Sequence, residues 1–154
     1  MLFTDIVEST AQSVTHGDRV WGERLEDHDT MVRRHLERFR GQEVKTTGDG
    51  FLVTFDGPAR AIHCACAIRD GARRLGIEIR AGLHTGEIQL REHDIAGVAV
   101  NIGARVCAAA TAGEVLVTRT VVDLVAGSGI AFGDRGDQHL KGIREAWRLF
   151  AVTT

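Results

Sequence analysis

The chain has 154 residues, 44% hydrophobic content and a formal net charge of −2. That length supports one compact domain with a core but not two. The near-neutral charge lacks the basic face that a duplex nucleic-acid partner requires, so we predict no nucleic-acid partner. No apolar run reaches the roughly 20 residues of a membrane helix, so we expect no membrane contact.

The cysteines are few and odd in number: Cys64, Cys66 and Cys107. This count argues against a disulfide framework and favours a reducing cytosolic location. The spacing of Cys64 and Cys66 inside a predicted helix favours packing over metal binding. Met1 stands two residues before the first motif described below. We therefore expect residues 1–154 to be one domain cut from a longer protein.

The first part of the chain predicts a strand, a long helix and a hairpin. Residues 1–6 are typical of a short buried strand that ends at a carboxylate, and the polar residues after it can open a helix. Apolar residues recur at helical spacing over 18–40, with Gly41 as the expected left-handed cap. Strand-like runs at 43–46 and 51–55 flank a Thr-Gly-Asp-Gly turn, which predicts a hairpin.

The middle of the chain predicts a helix, a strand and a second hairpin. Pro58 stands where a helix begins, and apolar residues then recur at steps of three and four until Gly76. Residues 77–83 alternate in the manner of a strand. A hairpin is expected over 86–93.

The last part of the chain opens with a predicted helix over 98–110, whose buried stripe would contain Val98, Ile102, Val106 and Ala109. The elements expected after it are a strand at 115–118, a short helix at 121–125 and strands near 130–135 and 146–152. This order of elements favours an α+β fold, an α/β sandwich with helices packed on a mixed sheet.

Two carboxylates mark the ends of predicted strands. Asp5 closes the first strand, and Asp49 lies in the Gly-Asp-Gly turn. If the first strand lies beside the hairpin, both carboxylates reach one sheet edge, where they can hold hard cations for phosphoryl chemistry. Ser9 and Thr10 lie at a helix start, where free N–H groups favour a triphosphate. Taken alone, carboxylates at such positions are more often ordinary turn and cap residues.

The sequence resembles the class III adenylyl and guanylyl cyclases at motifs that stand in family order. They are FTDIVEST (3–10), KTTGDG (45–50), GLHTG (82–86), DIAGVAVNIGAR (94–105) and LKG (140–142). The resemblance covers nearly the whole chain and implies the class III cyclase fold, a palm-type or ferredoxin-like mixed sheet flanked by helices. The Arg- and Ala-rich composition is nearest to bacterial, actinobacterial members.

The resemblance also implies the metal and base-recognition roles. Asp5 and Asp49 would hold two Mg²⁺ or Mn²⁺ ions, helped by the Ile6 carbonyl. Lys45 and Asp94 would select the purine, where guanylyl cyclases carry Glu and Cys. A lysine can donate to adenine N1 and an aspartate can accept from the 6-amino group, so ATP is the expected substrate.

The remaining roles concern the ribose and the phosphates. By resemblance, Asn101 would orient the ribose, Arg105 would stabilise charge on the α-phosphate, and Lys141 would contact the outer phosphates. Asn101 and Arg105 are four apart on a predicted helix, so both project from one face. In this family one subunit supplies the metal residues of a site, and the other supplies its purine-selecting and transition-state residues. We therefore expect a head-to-tail homodimer with two equivalent sites.

Two other functions are compatible with parts of this pattern. The chain could be a catalytically silent cyclase-like module that dimerises or binds nucleotide, but the metal aspartates and the Asn101–Arg105 pair are all present. It could be a guanylyl cyclase, but Lys45 and Asp94 stand where guanylyl cyclases carry Glu and Cys. A diguanylate cyclase has a related palm-type fold, but the sequence has no Gly-Gly-Asp-Glu-Phe run.

Overall fold

The computed structural model describes residues 1–154 as five helices and nine strands. The helices are α1 (Ser9–His16), α2 (Asp18–Phe39), α3 (Pro58–Arg74), α4 (Val98–Ala109) and α5 (Arg119–Leu124). The strands are β1 (Leu2–Ile6), β2 (Gln42–Thr46), β3 (Phe51–Thr54), β4 (Ile79–Leu83), β5 (Gln89–Arg91), β6 (Asp94–Ala96), β7 (Val115–Thr118), β8 (Phe132–His139) and β9 (Ala146–Val152). The mixed sheet flanked by helices confirms the predicted fold class.

Seven strands form one sheet in the order β2-β3-β1-β4-β7-β9-β8, and β5 and β6 form a separate hairpin. β1 is central and pairs antiparallel with both β3 and β4. β4 and β7 are the parallel pair. The C-terminal end of β1 therefore lies beside the β2–β3 turn and the start of β4.

The sheet buries a different cluster on each face. On one face, β1, β3, β4 and β7 pack against α2, α3 and α5, and this main core includes Leu2, Val32, Ile68 and Val117. The other face carries α4 over a smaller cluster, which we call the second core: Ile102, Val106, Ala110, Leu116, Leu140 and Leu149. The second core ties α4 to the β8–β9 hairpin.

Close approach of α4 to the sheet depends on glycine. A Cβ on Gly82 would lie 2.2 Å from the backbone nitrogen of Cys107, and one on Gly103 would lie 3.0 Å from the Phe3 ring. Neither position has room for a larger side chain without moving the helix. The predicted stripe was wrong at Val98, which is 68% exposed. Ala99 is buried instead, because the small residues of α4 are the ones that face β1 and β4.

Two local predictions were displaced. The residue in the left-handed region after α2 is Arg40 (φ 58°), not Gly41. Gly41 is needed for space, since a Cβ there would lie 2.7 Å from the Phe55 ring. The second hairpin spans 89–96 rather than 86–93.

All three cysteines are free, and Cys64 is fully buried as expected for packing. None of the five helices is apolar over enough residues to cross a bilayer.

Candidate active site

Asp5 and Asp49 meet at the end of β1. The turn that carries Asp49 presses on β1, because a Cβ on Gly50 would lie 2.1 Å from the Thr4 carbonyl oxygen. Phe51 N–H donates to Thr4 Oγ1 at 3.2 Å, which fixes the register next to the turn. Glycine at 50 is therefore the condition for bringing the two carboxylates together.

The environment of Asp5 opposes its ionisation. Burial is the largest cause that raises the pKa of Asp5, and the hydrogen bond and negative charge of Asp49 raise it further. The hydrogen bond and charge of Arg80 act in the opposite direction, yet the pKa of Asp5 stays above its usual range. Two carboxylates held this close can share a hard divalent cation.

The donor atoms fit a hard divalent cation. Asp5 and Asp49 supply carboxylate oxygens, and Ile6 is the last residue of β1. Val7 N–H donates to the Glu78 carbonyl, on the β4 side of β1. Neighbouring residues of a strand direct their backbone groups to opposite sides, so the N–H and carbonyl of Ile6 point to the side of β3 and the Asp49 turn. No three His, Cys, Asp or Glu side chains in the chain are grouped so that they could hold a metal ion by themselves. Two carboxylates are enough for Mg²⁺, which is commonly held by one or two carboxylates together with substrate phosphates and water.

Arg80 is the site residue that sequence reasoning missed. It lies directly across from Asp5 in the β1–β4 register. Its Nε and Nη2 both donate to Asp5 Oδ2, at 3.1 and 2.8 Å, and Nη1 donates to the Ala108 carbonyl at 2.9 Å. An arginine in the middle of an otherwise apolar strand was the available signal, but its partner depended on strand pairing.

The start of α1 lies immediately beyond the carboxylate pair. Glu8 precedes the helix in the left-handed region (φ 57°), with no side-chain cap. The first intrahelical bond is Gln12 N–H to the Glu8 carbonyl, at 3.0 Å. The N–H groups of Ser9, Thr10 and Ala11 are thus left for an anion.

Lys45 and Asp94 come together from separate elements. A β-bulge between Glu43 and Lys45 shifts the register of β2 on β3, and such bulges re-aim side chains. Lys45 Nζ donates to Asp94 Oδ2 at 2.9 Å, and Ile95 N–H donates to Asp94 Oδ1 at 2.8 Å. The hydrogen bond from Lys45 is the main cause that lowers the pKa of Asp94. Residues 49 positions apart therefore form one exposed, ionised pair.

Asn101 and Arg105 are exposed on α4, as their spacing predicted. Arg105 takes part in none of the ion pairs within the chain. The helix turns its buried residues, among them Ile102 and Val106, towards the sheet. Asn101 and Arg105 are consequently on the solvent side of α4.

Lys141 lies in the turn between β8 and β9. Since β4 is antiparallel to β1, β7 parallel to β4, and β9 antiparallel to β7, this turn is at the end of the sheet where β1 begins. Asp5 is at the opposite end. Leu140, next to Lys141, packs in the second core with Ile102, so the hairpin and α4 are held as one unit.

A family model, the adenylate and guanylate cyclase catalytic domain, matches residues 1–154. The chain belongs to this family. A Rhizobium meliloti (strain 1021) protein named "Putative adenylate cyclase 3" is 34% identical over 113 residues, which is 68% of this chain and 19% of that protein. The cyclase domain therefore corresponds to about a fifth of this relative's length.

Solved structures share the fold. The adenylyl cyclase CyaB from P. aeruginosa superposes with a TM-score of 0.89 at 22% identity, covering 99% of this chain and 92% of that one. The guanylate cyclase domain of RhGC from Catenaria anguillulae, solved with GTP, gives a TM-score of 0.85 at 20% identity, covering 99% and 94%. Adenylate and guanylate cyclases thus share the architecture of this cyclase domain.

The predicted site residues lie in three separate groups in the cyclase domain. Asp5, Asp49 and the start of α1 lie together at one sheet end. Lys45 and Asp94 form a second group, on β2 and the β5–β6 hairpin. Asn101, Arg105 and Lys141 belong to the unit built on the second core, and none of the side-chain hydrogen bonds or ion pairs of Asp5 involves these three residues.

Proposed function

We propose that this cyclase domain is an adenylyl cyclase that converts ATP to 3′,5′-cyclic AMP and pyrophosphate. The observation that carries this assignment is the 2.9 Å contact between Lys45 Nζ and Asp94 Oδ2. The ammonium group can donate to adenine N1, and the carboxylate can accept from the 6-amino group. Guanine has a donor at N1 and an acceptor at position 6, so it would leave both protein groups unpaired.

We propose further that each catalytic site is assembled from two copies of the chain. Lys141 lies at the sheet end opposite Asp5, and Asn101 and Arg105 are exposed on α4. This separation supports a site in which the two sets come from different copies. A head-to-tail pair with closed two-fold symmetry would form two equivalent sites, each with the carboxylates of one copy and α4 of the other.

Asp5, Asp49 and the Ile6 carbonyl would hold two Mg²⁺ or Mn²⁺ ions. Such ions lower the pKa of the attacking hydroxyl and neutralise phosphate charge. The free N–H groups at Ser9 and Thr10 would bind phosphate oxygens of the same nucleotide. From the other copy, Asn101 would orient the ribose and Lys141 would pair with the outer phosphates.

The reaction needs no protein nucleophile. The ribose 3′-oxygen forms a bond to the α-phosphorus, the bond from that phosphorus to the pyrophosphate oxygen breaks, and the hydroxyl proton passes to solvent. Arg105 would spread the charge that builds on the α-phosphate through its planar guanidinium. Lys141 and the start of α1 would stabilise the pyrophosphate as it leaves.

We also propose that the domain works in the reducing cytosol. Cys64, Cys66 and Cys107 are all unpaired thiols, which such a compartment preserves.

The substrate assignment is tested by measuring cyclic AMP and cyclic GMP formation from ATP and GTP with Mg²⁺ or Mn²⁺. We expect cyclic AMP from the wild type and none from Asp49→Ala. Asp123→Ala, which removes a carboxylate that is 66% exposed on α5, is the matched control and should keep wild-type activity. Lys45→Glu combined with Asp94→Cys should shift preference towards GTP. An unchanged ATP-to-GTP ratio in that double variant would remove the purine assignment.

The shared site is tested by mixing two inactive variants. Asp49→Ala and Arg105→Ala should each be inactive alone. A mixed dimer restores one site, because the intact carboxylates of one copy meet the intact Arg105 of the other. With random exchange, an equimolar mixture should recover about a quarter of wild-type activity. Absence of recovery, with exchange verified by labelled subunits, would rule out the shared site.

A further inference from the structure

The guanidinium of Arg80 already occupies the carboxylate that would bind metal. Two of its N–H groups donate to the same oxygen of Asp5, and a third is anchored on the Ala108 carbonyl in the last turn of α4. Asp5 and Arg80 are each about one-third exposed, so the pair is reachable from solvent. A cation that approaches Asp5 therefore meets one carboxylate oxygen, Oδ2, that already accepts two hydrogen bonds, with a guanidinium charge beside it.

We propose that Arg80 acts as a resident competitor for divalent cations, so that its guanidinium on Asp5 weakens metal binding to the nucleotide-free domain. This inference rests on the proposed function in one respect, namely that Asp5 and Asp49 are the metal ligands. It concerns the strength of metal binding before nucleotide arrives. The catalytic steps above do not depend on it.

The competition has two physical parts. The Oδ2 lone pairs that accept from Nε and Nη2 cannot at the same time coordinate an ion. In addition, a guanidinium anchored to the Ala108 carbonyl stays beside Asp5 and repels the ion. At about 5 Å, a unit charge lowers the affinity of a divalent cation by about tenfold, even at the dielectric constant of water.

The pair also explains how Asp5 and Asp49 coexist without metal. Two adjacent carboxylates repel each other, and Arg80 supplies the balancing positive charge from across the strand pair. Removing Arg80 should therefore have opposite effects in the two states: the metal-free fold loses stability, while the metal-bound fold gains affinity.

The test is direct titration of the whole chain with Mn²⁺ alone, without nucleotide, followed by electron paramagnetic resonance or calorimetry. We expect Arg80→Gln to bind Mn²⁺ about tenfold more tightly than wild type. Arg73→Gln is the matched control, because it removes an arginine from an exposed pair with Glu78. It should change the Kd less than twofold.

Asp49→Ala separates this inference from the proposed metal site. If wild type shows no binding that depends on Asp49, the proposed metal site itself fails. If that binding is present and Arg80→Gln binds Mn²⁺ no more tightly than wild type, only the competition is overturned.

Folding of the variants is followed by thermal melting with and without Mn²⁺. Arg80→Gln should melt below wild type without metal and should show the larger Mn²⁺-induced rise in Tm. Arg80→Lys keeps the charge, but one ammonium cannot hold both Asp5 and Ala108, so a Kd about threefold tighter is expected. If Arg80→Gln does not fold, Arg80→Met, which also removes the charge, decides: a Kd equal to that of wild type would overturn the competition.

Discussion

The pH dependence of stability should depend strongly on His84. This side chain is 4% exposed at the end of β4. It shares a 2.7 Å hydrogen bond with Thr118 and packs edge-on against Trp147, with ring centroids 5.2 Å apart. Burial is the main cause that lowers the pKa of His84 to about 4. The folded chain therefore holds His84 neutral at pH values where the unfolded chain is protonated.

The sign and magnitude follow from linkage. Between pH 4 and 6.5 the unfolded chain binds more protons, so the free energy of unfolding falls as pH falls. The full shift, from 6.5 to about 4, corresponds to about 3 kcal/mol. Of this, about 2 kcal/mol should be lost between pH 7 and pH 5. The contribution is present above pH 6.5 and gone below pH 4.

The assay is urea unfolding followed by circular dichroism at several pH values from 7.5 to 4.5. His84→Asn keeps an amide that can bond to Thr118 but does not titrate, so its loss of stability from pH 7 to 5 should be about 2 kcal/mol smaller than that of wild type. Some slope will remain, because burial and then nearby arginines lower the pKa of His35 as well. His93→Asn, an exposed control, should keep the wild-type slope. Equal slopes for His84→Asn and wild type would refute the reasoning.

Three backbone predictions test the local geometry by urea unfolding. Gly50→Ala should lower the free energy of unfolding by about 3 kcal/mol and weaken Mn²⁺ binding, since its Cβ would lie 2.1 Å from the Thr4 carbonyl oxygen. Gly57→Ala is the control, because a Cβ there has nothing within 4 Å. Equal stability of the two variants would contradict the steric argument. Gly22→Ala, inside α2 with open space around it, should stabilise by about 1 kcal/mol, and no gain would mean that the helix needs flexibility there. Glu8→Gly should raise the free energy of unfolding by about 0.5–1 kcal/mol, because glycine adopts a φ of 57° without strain. A lower free energy of unfolding would show that the Glu8 side chain makes a stabilising contact.

The sequence predicted the helices and strands that depend on residue patterns over a short stretch of chain. The helical stripes of α2 and α3, the hairpin around Asp49 and the alternation in β4 are periodic over few residues, and each of these elements forms where it was expected. The cyclase motifs identified the family for the same reason, because they are short and ordered along the chain. The predictions were wrong by a residue or more where tertiary contacts decide which side chains are buried. In α4, for example, Ala99 is buried rather than Val98.

Only the tertiary structure decided which side chains meet. The Arg80–Asp5 contact joins residues 75 positions apart, and the Lys45–Asp94 contact joins residues 49 apart. Both depend on strand register, and the second depends also on a bulge. The position of Lys141 at the far sheet end follows from the directions of four strand pairings. Residue type and spacing are written in the sequence, but pairing direction and register are settled by the packing of the whole sheet, where a one-residue slip would turn Asp5 to the other face.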